Sequence, residues 1–153
     1  MGIAALITWL IAALGGFYLL YTWISNGGPR KPSASRFPPA LIFGHFALAA
    51  IGLVVWIIYL IVDNDTLAWI AFVLLVPVVL LGLTMQVRWL PTYRARTAAA
   101  ATTGSAANPA VEPAAADVPA ERHFPVAVVG GHGLFAVATV VLVLLTALEV
   151  GGS

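Results

Sequence analysis

Two of the three histidines in this 153-residue chain sit in matching settings. The segment Phe37-Pro38-Pro39-Ala40-Leu41-Ile42-Phe43-Gly44-His45 aligns with Phe124-Pro125-Val126-Ala127-Val128-Val129-Gly130-Gly131-His132. Phe, Pro, Ala, Gly and His coincide at one constant offset, and Ala49 with Ala136 continues it. Each histidine follows its Phe by eight residues, which on a helix is about 12 Å of rise. No Asp or Glu lies inside the apolar stretches that carry these histidines. A zinc site takes three or four protein ligands, and a proton relay takes a chain of titratable groups. Two histidines without carboxylate or thiolate are too few for either. The third, His123, precedes His132 by nine residues, or about 13 Å along a helix.

Two imidazoles are, however, the full axial complement of a six-coordinate haem iron, whose other four nitrogens belong to the macrocycle. Haem b is therefore the expected cofactor, with His45 and His132 as metal ligands. Gly44 and Gly131 beside the ligands, and Ala49 and Ala136 one turn on, are expected to leave room for a flat ring. Arg36 and His123 occupy equivalent places in the two segments, and Arg88 lies at the same end of the spans. Arg36, Arg88 and His123 are the candidates to meet the haem propionates, through charge-assisted hydrogen bonds. The competing expectation is structural. A membrane histidine can simply bond a neighbouring backbone carbonyl or hydroxyl, and duplication copies such a residue as readily as a ligand.

The elements that must position these rings follow from composition. Hydrophobic residues make up 61% of the chain and charged residues 8%, with mean hydropathy +1.01. A soluble domain is roughly 25% charged, so lipid must be the solvent for most of this chain. Net charge is +1, which gives no general attraction to nucleic acid. Absence of cysteine excludes disulfides, thiolate metal sites, iron–sulfur clusters and covalent c-type haem attachment.

Four apolar stretches, about 3–24, 37–62, 66–89 and 124–148, reach the roughly 20 residues a spanning helix needs. Continuous apolar runs are not the alternating strands of a barrel, so the spans are helices. The first lacks the basic leading region and cleavage site of a signal peptide and is read as a retained span. Residues 97–121, rich in Ala, Thr and Pro, read as a flexible cytoplasmic linker. Pro77 is expected to kink the third helix. All seven basic residues fall in or beside the first and third loops, whereas the second loop carries Asp63 and Asp65. The positive-inside rule puts the basic loops in the cytoplasm and both termini outside a plasma membrane. Trp23, Trp89 and Tyr93 are expected at the inner interface, with Trp9, Tyr59 and Trp69 near the outer one.

A fainter echo joins the first and third spans, Gly16 to Trp23-Ile24 against Gly82 to Trp89-Leu90. The chain thus reads as an all-α, polytopic membrane protein, a four-helix up-down bundle built from two hairpin repeats in parallel orientation. A two-fold axis through such a bundle exchanges diagonal helices. His45 and His132 then face each other across the interior at equal depth.

Paired histidines on diagonal spans with nearby glycines resemble the membrane-bound b-type cytochromes. That resemblance implies one-electron transfer or redox sensing, with a quinone or a larger respiratory membrane protein as redox partner. A second histidine pair is absent, so the ligands suffice for one haem. His123-Phe124-Pro125, His132-Gly133-Leu134-Phe135-Ala136 and Leu142-Val143-Leu144-Leu145-Thr146-Ala147-Leu148 also make the chain similar to small four-span actinobacterial membrane proteins of unknown function. The alternative from another class is a non-catalytic accessory or assembly subunit with structural histidines. A small transporter is disfavoured by the lack of polar lining.

Overall fold

The computed structural model describes residues 1–30, 35–103 and 119–149. Every regular element among them is helical: α1 (Gly2–Ser25), α2 (Pro39–Val62), α3 (Asp65–Thr103), a 3-10 turn (Ala120–His123) and α4 (Val126–Ala147). All four α-helices are long and apolar enough to cross a membrane. Their outer faces carry large exposed side chains such as Ile7, Leu14, Val54, Val73, Leu134 and Val137. Contiguous apolar surface on that scale is stable only against lipid or another protein.

Local chemistry ends each helix. Beyond α1, the Gly28 and Gly27 amides donate to the Trp23 and Ile24 carbonyls at 3.0 and 3.1 Å. Gly27 has φ +83°, so this is the paired-bond stop that glycine permits without strain. α2 opens on Pro38-Pro39, where no amide donor is needed. It stops at Asp63, in the left-handed region with φ 53°. Asn64 then caps α3, its Oδ1 accepting from the Thr66 amide at 3.0 Å.

α1 packs chiefly on α4 and α2 chiefly on α3, with lesser contact of α3 on α4 and of α1 on α2. The bundle is therefore two tight pairs meeting along looser seams, with α2 and α4 on one diagonal. Two apolar clusters fill its ends. Ala5, Trp9, Trp56, Ala71, Leu75 and Val143 are among those at one end. Trp23, Phe37, Ile42, Trp89, Ala120 and Phe124 form the other. The repeat is visible in this core. Ala5 and Ala71, Trp23 and Trp89, and Trp56 and Val143 are equivalent positions and all buried. Phe37 and Phe124 meet across the axis with ring centroids 6.1 Å apart.

Three expectations need correction. The third helix does not end near Trp89 but runs through Pro91 to Thr103, so residues 97–103 are helical. At 39 residues it is about 58 Å long, nearly twice a hydrocarbon core of ~30 Å. Residues 104–118 of the expected linker lie outside the described residues. The last of it is docked rather than loose: Glu121, in the 3-10 turn, is fully buried. Its carboxylate accepts from the Arg36 amide at 2.7 Å and the Ser35 hydroxyl at 3.1 Å. Finally, of the aromatics expected at the interfaces, Trp9, Trp23 and Trp89 turn into the core, whereas Trp69 is exposed. The Trp23 indole donates to Ser35 Oγ at 2.9 Å, which gives its polar atom a partner inside.

Candidate histidine site

His45 on α2 and His132 on α4 project between the two apolar end clusters. Their ring centroids are 6.2 Å apart, with ring planes at 65°. Each ring also reaches sideways to its tightly packed neighbour. His45 Nδ1 lies 2.9 Å from the Val78 carbonyl oxygen on α3. His132 Nδ1 lies 2.8 Å from the Ala12 carbonyl oxygen on α1. A carbonyl oxygen only accepts, so in both rings Nδ1 carries the proton and donates. In the neutral imidazole that leaves Nε2 with its lone pair. Neither Nε2 has a hydrogen-bond partner among the described residues, and neither is sealed from open space.

The seats for the rings explain the fainter echo. Val78 and Ala12 each precede a glycine, Gly82 and Gly16, by one helical turn. A side chain at those positions would crowd the histidines. A Cβ on Gly82 would stand 3.4 Å from His45 Cε1, and one on Gly16 would stand 3.2 Å from His132 Cε1. Gly15 adds a third close approach, 3.3 Å from His132 Cβ. The arrangement is exchanged between repeats: the histidine of the first seats on the helix of the second, and the reverse. Pro77 lies one residue before the Val78 seat, inside continuous α3.

Both histidines line a half-open cavity of about 320 Å³. Ala49 and Ala136 line it as expected, together with Gly16, Gly82 and Gly133. Gly44 and Gly131 do not; a Cβ on either would meet nothing within 4 Å. The glycines that adjoin the histidine rings are instead Gly16 and Gly82. Arg36 and Arg88 line a different groove, which shares only Phe37 with the cavity. His123 turns back on its own turn, with Nδ1 3.2 Å from the Ala120 carbonyl. The ring seats on Ala12 and Val78, and the buried Glu121, were not anticipated. The Gly16/Gly82 echo was the signal for the first; no pattern marked the second.

Among the described residues no group of three or more His, Asp or Glu side chains comes together that could hold a bare metal ion. Two features of the histidine pair are ones that a haem iron would require. A ligating histidine characteristically donates its other nitrogen to a carbonyl or carboxylate, as both do here. Each tight helix pair contributes one ring, so a flat macrocycle would lie in the seam between pairs. Comparison of the chain with protein families, with characterised proteins and with solved structures finds no match.

Proposed function

We propose that this chain is a membrane-embedded b-type haem protein, with His45 and His132 as the two axial ligands of one iron. Its work is one-electron transfer or redox sensing. The observation that carries the reading is the symmetry-related pair of rings, each with Nδ1 held by a backbone carbonyl and Nε2 free. The carbonyls of Val78 and Ala12 fix the tautomer and make each Nε2 a better donor to a metal. Gly16 and Gly82 permit the close seating, while Ala49 and Ala136 leave space for the macrocycle edge. Haem held by His45 and His132 would supply a one-electron couple suited to electron transfer more than to oxygen activation. The redox partner is a quinone or a larger respiratory membrane protein. The basic loops face the cytoplasm and both termini the outside, by the positive-inside rule.

The test is an absorption spectrum of purified protein before and after haem reconstitution. A Soret band and sharp reduced α and β bands are expected, and His45→Ala or His132→Ala should abolish the six-coordinate form. Failure of the wild-type protein to take up haem, or six-coordinate spectra in both variants, would overturn the proposal. One observation favours a second reading, an accessory subunit with structural histidines: the Nδ1 bonds already tie α2 to α3 and α4 to α1. That reading leaves the two free Nε2 atoms without a purpose. It predicts a stable fold without cofactor and constant association with a protein partner.

A further inference from the structure

The groove that holds Arg36 and Arg88 lies beside the start of α2 and the part of α3 near Trp89. Its volume is about 760 Å³, and Phe37, Pro38, Pro39, Val87 and Pro91 supply most of its apolar wall. Both arginines are exposed. Arg88 Nη1 donates to the Arg36 carbonyl at 2.9 Å. That bond fixes the Arg88 guanidinium over the groove and leaves its remaining donors available. The Arg36 guanidinium makes no hydrogen bond or ion pair with any described residue. Glu121, whose carboxylate meets the Arg36 amide, is buried and engaged there and by Ser35.

We propose that this groove binds one anionic phospholipid, its phosphate held between the Arg36 and Arg88 guanidiniums. Charge and depth argue for this occupant. Two cations with no acidic partner among the described residues stand where the apolar spans end, the level of lipid headgroups. From the groove, Val87, Leu83 and Leu80 form an exposed apolar strip along α3 toward the middle of the span, a track for an acyl chain. Arginine forks bind phosphate oxygens in pairs, and basic pockets between spans are recurrent headgroup sites. A net-negative headgroup is favoured over a zwitterionic one because the ammonium of the latter partly neutralises the phosphate and repels the two guanidiniums.

Native mass spectrometry from nanodiscs holding equal phosphatidylglycerol and phosphatidylcholine tests this. The wild-type protein should retain one phosphatidylglycerol in preference to phosphatidylcholine. Arg36→Gln with Arg88→Gln should weaken that retention roughly thirty-fold, at the attraction expected per basic residue near an anionic headgroup. Arg94→Gln with Arg96→Gln removes the same charge outside the groove and should leave retention unchanged. Equal retention of both lipids by the wild-type protein overturns the proposal without recourse to any variant. So does an equal loss in the Arg94/Arg96 pair, which would mean diffuse surface charge. Loss of haem with unchanged lipid retention in the Arg36/Arg88 variant also overturns it and returns these arginines to the haem carboxylates.

Discussion

Adding one methyl group at Gly16 probes the ring seat directly. The Cβ of Gly16→Ala would stand 3.2 Å from His132 Cε1, while unstrained carbon pairs settle at about 3.5–4.0 Å. The imidazole must retreat by roughly 0.3–0.8 Å. Taken along the bond to Ala12, now 2.8 Å, that retreat stretches it past ~3.1 Å, to the edge of good hydrogen-bond geometry. Weakening one such bond costs about 0.5–1.5 kcal/mol, and exchanging a helical glycine for alanine returns up to ~1 kcal/mol. Stability should therefore change little while the ring moves. The assay must read the ring: nitrogen NMR of the His132 Nδ1–H, and the midpoint potential and spectrum of the haem-loaded protein. Gly82→Ala meets His45 Cε1 at 3.4 Å and should give a smaller displacement in the same direction. Gly44→Ala and Gly131→Ala enter open space, so they should gain helix stability and leave both readouts unchanged. Equal spectral disturbance by all four variants, or an unmoved His132 resonance in Gly16→Ala, would refute the seat geometry.

Two further predictions concern the ends of the bundle. Trp56 is fully buried and its indole donates to the Gly2 carbonyl at 3.2 Å. Trp56→Phe, which loses the bond and some volume, should cost about 1–2 kcal/mol, and Trp56→Ala about 3–5 kcal/mol, measured by unfolding in mixed micelles. Glu121→Ala strands the Arg36 amide, while the Ser35 hydroxyl can still turn to the Phe37 carbonyl, for a loss of roughly 1–3 kcal/mol. The 3-10 turn should then release, seen as faster amide exchange at residues 120–123 with little change in α2 or α4.

Much of the frame was legible from residue order alone, and particular misses show why the rest was not. The third span was expected to stop before Pro91, yet α3 continues through it to Thr103. The alanine-rich stretch after Arg96 has high helix propensity, which outweighs one missing donor. Gly44 and Gly131 looked like ring neighbours because they adjoin the histidines in sequence. On a helix an adjacent residue is turned about 100° away, so both face off the cavity. Gly16 and Gly82 stood out as an echo, but their meaning depends on which helix lies against them.

Residue order by itself determined the four spans, the duplication and the equal depth of His45 and His132, because lipid admits only self-bonded helices and because rise along a helix is constant. It did not determine which face of each helix points inward. Lipid-facing and core-facing surfaces are both apolar here, so no amphipathic stripe marks the interior. Only tertiary packing decided that α1 pairs with α4 and α2 with α3. That pairing carried each histidine to a carbonyl of the opposite repeat and left its second nitrogen without a hydrogen-bond partner among the described residues.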